Sequence, residues 1–256
     1  MVHGLDLMRT PSSTPDPVRT PAPGQDAARA AAGSRRSGRA AHARSEPFAL
    51  LFVCQGNVAR SPAAQLLAAR RLAAASDAGA GIETASAGTG ALVGAGIAPE
   101  IGTELAERGV DASGHRAQQL GAGLLRAADL VLVMEAEHRR WILEEWPGAV
   151  RSVFLLGTAA RVLGAQRSSP ATPVDAGTLP PHGAGDPTTG LPGEPASPAD
   201  PLALLRAPGV RVLPEDGIAD PYRRGREAAR RAVARIDQCL ELVLPALVSR
   251  PRSERG

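Results

Sequence analysis

Apolar residues along this chain gather into short runs, each bounded by proline or glycine and followed by a stretch of helical spacing. Phe48-Ala49-Leu50-Leu51-Phe52-Val53 lies between Pro47 and the Gly56-Asn57 pair and reads as a buried strand of a parallel sheet. Residues 82–87 read as a second strand ended by Gly88, residues 129–134 as a third, and residues 150–156 as a fourth. Between them the pattern predicts helices over 61–75, with Ser61 as N-cap and Pro62 in the first turn, over 99–108, stopped by Gly109, over 121–128, and over 138–145. A short helix to about 163 follows the fourth strand. From Arg223 onward, Val233, Ile236, Leu240, Val243, Leu244 and Leu247 recur at helical spacing, so the chain ends in a long amphipathic helix. Strands alternating with helices predict βαβ units: a three-layer α/β/α domain around a four-stranded parallel sheet.

Proline and glycine limit how much of the chain belongs to that domain. There are 23 prolines and 28 glycines, and eleven of the prolines fall between Pro170 and Pro214. Residues 164–214 show no periodicity and are too long for an ordinary loop, so a disordered insertion is expected there. Residues 1–46, rich in Ala, Pro and Arg, read as a disordered arm and residues 249–256 as a tail, leaving 47–248 as the interrupted domain.

Charge sharpens this division. The arm carries seven arginines against four acids, which accounts for the whole formal net charge of +3, so the domain itself is neutral. No nucleic-acid partner is expected from such a balance. The two cysteines, Cys54 and Cys239, build no disulfide framework, and a cytoplasmic location follows from that reading. The arm has no continuous apolar run of the signal-peptide kind, no window approaches the roughly 18 apolar residues of a membrane span, and a soluble monomer without membrane contact is expected. The five histidines are scattered and no Cys/His cluster has ligand spacing, so neither a metal nor another cofactor is implied.

The segment with chemical content is Cys54-Gln55-Gly56-Asn57-Val58-Ala59-Arg60-Ser61, between the first strand and the first helix. Alone, Cys54 would pass for a small apolar residue ending a strand. Its position is what matters, because α/β sheets bind ligands beyond the carboxyl ends of their strands. A tight loop running into a helix N-terminus directs successive backbone N–H groups at an anion, and the helix dipole adds to the attraction. Gly56 and Asn57 tolerate the left-handed backbone such a loop requires. Arg60 offers a planar fork for two phosphate oxygens, and its charge together with the helix end favours Cys54 as a thiolate, to which the Ser61 hydroxyl donates. The terminal Lys of a Walker loop is missing. A thiolate attacking phosphorus needs an acid for the leaving group, and Asp220 in Asp220-Pro221-Tyr222 is the candidate, with Tyr222 as a flat wall.

These pieces, with Ser86-Ala87-Gly88-Thr89 and Ser113-Gly114-His115-Arg116 between them in order, resemble the low-molecular-weight protein-tyrosine phosphatase family over residues 48–163 and 216–247. The resemblance implies a phosphotyrosine protein or a small phosphate monoester as substrate and a phosphocysteine intermediate. It makes Cys54 the nucleophile, Arg60 the phosphate clamp and Asp220 the acid and then the base. It further implies that Ser86 and His115 hold Asn57 in its strained conformation. The chain departs from the family at Ala59, where many members carry a second cysteine, and at Leu92 and Val93, where related enzymes often place an aromatic wall. Two other readings stand beside this one: a catalytically silent phosphate- or phosphopeptide-binding module, and a thiol-dependent arsenate reductase, which would need more relay cysteines than Cys239 supplies.

Overall fold

A computed structural model describes residues 47–75, 79, 81–168 and 200–250. Its sheet is built from β1 (Phe48–Cys54), β2 (Ile82–Gly88), β3 (Leu130–Val133) and β4 (Val153–Leu155), all parallel, in the order β2-β1-β3-β4. Around it lie α1 (Arg60–Ala74), α2 (Pro99–Ala106), α3 (Ala122–Ala127), α4 (Ala136–Glu145), α5 (Leu156–Ser168), α6 (Pro201–Leu205) and α7 (Gly225–Val248).

Alternation along the strands sorts these helices into two layers. Leu50 and Phe52 of β1 and Leu130 and Leu132 of β3 join the larger core, with buried residues of α1, α2, α5 and α7. Leu51, Val53, Val131, Val133, Val153 and Leu155 face the smaller core, which Leu125 of α3 and Ile142 of α4 complete. The expected three-layer α/β/α arrangement with four parallel strands is therefore present. The apolar stripe of α7 accounts for its place: Val233, Ile236, Leu240, Val243 and Leu247 are all buried, against α1 and α5.

Strand order also fixes where the site lies. β1 sits between β2 and β3. The chain leaving β1 turns into α1 on one face, and the chain leaving β3 turns into α4 on the other. Two loops diverging from adjacent strand ends open a crevice at the carboxyl edge of the sheet.

The structure revises several expected boundaries. Ser61 is not the N-cap of α1. Ala59 holds that position, because the Ser61 hydroxyl is engaged elsewhere and caps no helical amide. The fourth strand is only Val153–Leu155, since Pro147 and Gly148 wind the chain into a 3-10 turn over Pro147–Arg151. Both ends of the segment 164–214, for which a disordered insertion is expected, carry regular structure. α5 continues to Ser168, α6 begins at Pro201 with the Asp200 side chain accepting from the Leu202 N–H, and a further 3-10 turn covers Pro214–Asp216. Residues 1–46, 169–199 and 251–256, for which disorder is expected, lie outside the described residues. No helix among the described residues is long and apolar enough to cross a membrane, and no group of His, Cys, Asp and Glu there has the makings of a metal site.

Candidate active site

The loop from Cys54 to Ser61 is held from outside by its carbonyls. Thr89 N–H donates to Cys54 O, Gly90 N–H to Gln55 O and Leu92 N–H to Gly56 O, each at 3.0 Å. His115 Nε2 donates to Asn57 O at 2.7 Å, and Ala98 N–H to Val58 O at 2.8 Å. With the carbonyls engaged, the backbone N–H groups of Gln55, Gly56, Asn57, Val58, Ala59, Arg60 and Ser61 find no acceptor among the described residues. Such a ring of free amides at a helix N-terminus is an anion cradle.

Asn57 makes the turn with φ of 52°, in the left-handed region. Its side chain is fully buried and completely used. Nδ2 donates to Ser86 Oγ at 2.9 Å and to Ser61 Oγ at 3.0 Å, while Oδ1 accepts from the Gln118 N–H at 2.9 Å. Ser86 in turn donates to Gln65 Oε1 at 2.6 Å. Ser86 and His115 both bond Asn57, with Asn57 the donor to Ser86 and His115 reaching its backbone carbonyl. Gly88 is needed for room: a Cβ there would lie 2.3 Å from Gln55 O.

Cys54 Sγ is 3.0 Å from Ser61 Oγ, which also lies 3.2 Å from Ala87 O. The hydroxyl has one proton and two places to send it. With a Cys54 thiol, the S–H donates to Ser61, which donates to Ala87 O; with a thiolate, the hydroxyl turns to the sulfur.

Arg60 is 2% exposed. Nη1 donates to Glu135 Oε2 at 2.6 Å and to Ile218 O at 2.8 Å. Nε stands 3.3 Å from Asp220 Oδ1 without hydrogen-bond alignment and finds no other acceptor, although it is buried. An orphaned guanidinium N–H beside a ring of free amides fits an absent oxyanion. Asp220 accepts from the Tyr222 N–H at 3.3 Å and is brought to the site beside Arg60. The residues leading to it are pinned by Asp216, whose buried carboxylate accepts from Thr158 Oγ1 at 2.7 Å and from Arg161 Nη2 at 2.9 Å.

Two site residues escaped the sequence reading, Glu135 and His138. Their signal was position, directly after β3 at the crevice. His138 Nδ1 accepts the Glu135 N–H at 3.1 Å, and Nε2 lies 3.9 Å from Glu135 Oε2. Burial, reinforced by the Arg60 charge and opposed by Glu135 and Asp220, pushes the His138 imidazole down to about 4. It is therefore neutral beside the arginine. Of the expected wall, Leu92 is 45% exposed and its side chain borders Gly56. Val93 is more exposed, at 71%. Tyr222 packs partly against the larger core, with the Arg223 guanidinium 5.1 Å from its ring centroid.

The geometry agrees with comparisons to known proteins. The sequence model for low molecular weight phosphotyrosine protein phosphatase matches residues 49–161. The probable low molecular weight protein-tyrosine-phosphatase EpsP of Ralstonia solanacearum is 43% identical over 108 residues, 42% of this chain and 70% of that protein. The protein-arginine-phosphatase of Geobacillus stearothermophilus is 37% identical over 111 residues, 43% of this chain and 70% of that protein. Among solved structures, the YwlE arginine phosphatase from Geobacillus stearothermophilus superposes with a TM-score of 0.53 at 25% identity, covering 78% of this chain and 93% of that one. The Erwinia amylovora tyrosine phosphatase AmsI shares the fold, with a TM-score of 0.52 at 22% identity over 80% of this chain and 95% of its own. With its sequence matching over most of these relatives' length and its anion loop set where the fold demands, the chain belongs to the low molecular weight protein-tyrosine-phosphatase family of hydrolases.

Proposed function

We propose that this protein hydrolyses phosphotyrosine in proteins through a phosphocysteine intermediate, with Cys54 as nucleophile, Arg60 as phosphate clamp and Asp220 as acid and base. One observation carries the proposal: around Cys54 the amides from Gln55 to Ser61 find no acceptor among the described residues and Arg60 Nε is buried without a hydrogen bond, while every carbonyl from Cys54 to Val58 is occupied. Three non-bridging phosphoryl oxygens supply the missing acceptors.

In the first step Cys54 Sγ attacks phosphorus, the S–P bond forms, and the P–O bond to the substrate breaks. Protonated Asp220 gives its proton to the departing phenolate. In the second, Asp220 takes a proton from water, whose oxygen displaces Cys54 and releases inorganic phosphate. Ser61 donates to the returning thiolate, withdrawing its proton from Ala87 O. Asn57, Ser86 and His115 keep the amides in place and take no part in bond making. Tyr222 and Leu92 border the leaving group. A phosphate-binding module without turnover would have no use for Asp220. The same dependence on a free thiolate supports a reducing, cytoplasmic setting.

The test is p-nitrophenyl phosphate hydrolysis by the wild type, Cys54→Ser and Asp220→Ala. Turnover by the wild type, none by Cys54→Ser and a fall of roughly 100-fold or more for Asp220→Ala are expected. A wild type that binds vanadate but hydrolyses nothing would make the protein a binding module instead. The arginine phosphatase among the relatives gives a second reading, phosphoarginine as substrate. Paired phosphotyrosyl and phosphoarginyl peptides of one sequence decide between them, the larger kcat/KM naming the substrate.

A further inference from the structure

A second concave surface lies away from the phosphate loop, where α4, β4 and α5 meet the segment that follows α6. This groove of about 460 Å3 presents Val150 and Val212, both half exposed, at its edges, above a base in which Leu155 and Leu205 are buried. Three arginines line it, Arg139, Arg151 and Arg206, and no acidic residue does. Arg139 spends its Nε on Val153 O at 3.0 Å, and Arg206 spends its Nε on Arg151 O at 2.8 Å. None of the three pairs with a carboxylate among the described residues, whereas neighbouring Arg140 and Arg161 pair with Glu144 and Asp216.

The Arg206–Arg151 bond is the informative one. It ties the end of α6 to the 3-10 turn after α4 and so holds two guanidinium-bearing residues side by side. Gathering like charges without a counter-charge is unfavourable for folding alone, and an anionic ligand relieves it. Leu205, Arg206, Ala207, Val210 and Val212 lie outside residues 49–161, which the family's sequence model matches.

We propose that the groove docks an acidic, leucine- or valine-containing peptide segment of a partner protein, with carboxylates on the three arginines and aliphatic side chains against the exposed Val150 and Val212. A nucleic acid suits it poorly, because the sole aromatic in the lining, Phe154, is 9% exposed and offers no stacking face. This docking does not depend on the chemistry at Cys54, and its effect would be to bring a partner protein to this face of the domain.

The test is fluorescence anisotropy with a fluorescein-labelled peptide of alternating glutamate and leucine, and the matching lysine–leucine peptide as control. The full-length wild type should bind the acidic peptide alone, with affinity falling as salt rises. Arg151→Glu with Arg206→Glu should weaken it by roughly tenfold or more. Thermal melting followed by circular dichroism reports whether that variant is folded, and Val212→Asp provides a second variant on the aliphatic edge, expected to weaken binding as well. Equal binding by folded variants, or no preference for the acidic peptide, would overturn the proposal. So would a tenfold gain in affinity on deleting residues 169–199, whose charged side chains are Asp175, Asp186 and Glu194, since the groove would then belong to the chain's own acidic segment.

Discussion

Arg60 Nη1 donates to Glu135 Oε2 at 2.6 Å, joining the loop after β1 to the loop after β3. A second bond, to Ile218 O at 2.8 Å, fixes the same nitrogen from the segment leading to Asp220. One end of the guanidinium is thus held by protein, while buried Nε is left for an oxyanion. Glu135 acts through Arg60 and is a positioning residue. Glu135→Ala should lower kcat/KM for p-nitrophenyl phosphate by roughly 10- to 100-fold, as expected when a clamp shifts by about an ångström. Glu135→Gln keeps an acceptor and should stay within a few-fold. The inhibition constant for inorganic phosphate should rise with Ala and change little with Gln. Unchanged phosphate affinity in Glu135→Ala would mean that Ile218 O suffices.

The room at Gly88 is a separate requirement for the loop. A Cβ at that position would stand 2.3 Å from Gln55 O and 3.0 Å from Asn57 N, both backbone atoms with no way to turn aside. Gly88→Ala should push the loop out of register and abolish hydrolysis, while the rest of the sheet stays folded. Gly90 has nothing within 4 Å of the equivalent point, so Gly90→Ala should be active. Comparing the two by turnover and circular dichroism checks the claim, and comparable activity in both would refute it.

These two cases show what the sequence discloses and what it does not. The strand–loop–helix arrangement and the pieces around Cys54, Ser86, His115 and Asp220 are legible because each is local, a run of neighbours with special backbone or chemical needs. Their convergence was inferred from the known order of such pieces. Glu135 was not legible, because its role comes from the adjacency of β1 and β3, strands separated by more than seventy residues. Gly88 read as a strand terminator, and it does end β2, but its close approach to Gln55 O and Asn57 N was not legible. The insertion was drawn too wide because proline and glycine content hid the α6 turn, where Pro201 follows the Asp200 cap and Leu205 is buried.

His138 should make stability depend on pH. Its folded value of about 4, from burial first and the Arg60 charge second, lies below the ordinary 6.5. The unfolded chain therefore binds the proton first, and unfolding is favoured as pH falls through 6.5, with the loss complete near 4, where the folded imidazole also charges. The full effect is of the order of 3 kcal/mol. Carboxylates such as Glu104 and Asp216 also lose stabilising interactions in acid, so the diagnostic is a difference between proteins. Urea unfolding at about pH 7 and about pH 4.5 should give a smaller drop for His138→Gln than for the wild type. Equal drops would show that His138 does not titrate with unfolding.

Oxidation offers the last test. Peroxide transfers one oxygen to the Cys54 thiolate, giving a sulfenic acid and, after protonation, water. Rescue as a disulfide needs a second thiol, and the loop from Cys54 to Ser61 holds no other cysteine. Cys239 is fully buried in α7, where burial pushes its thiol up, so it is a poor nucleophile. A second peroxide should therefore carry Cys54 to the sulfinic acid, with activity lost beyond recovery by dithiothreitol and a mass gain of two oxygens on the Cys54 peptide. Ala59→Cys places a thiol within the loop and should make the loss recoverable, through a Cys54 disulfide with the new residue. Full recovery of the wild type with a Cys54–Cys239 crosslink would show instead that α7 opens enough to bring the buried thiol to the site.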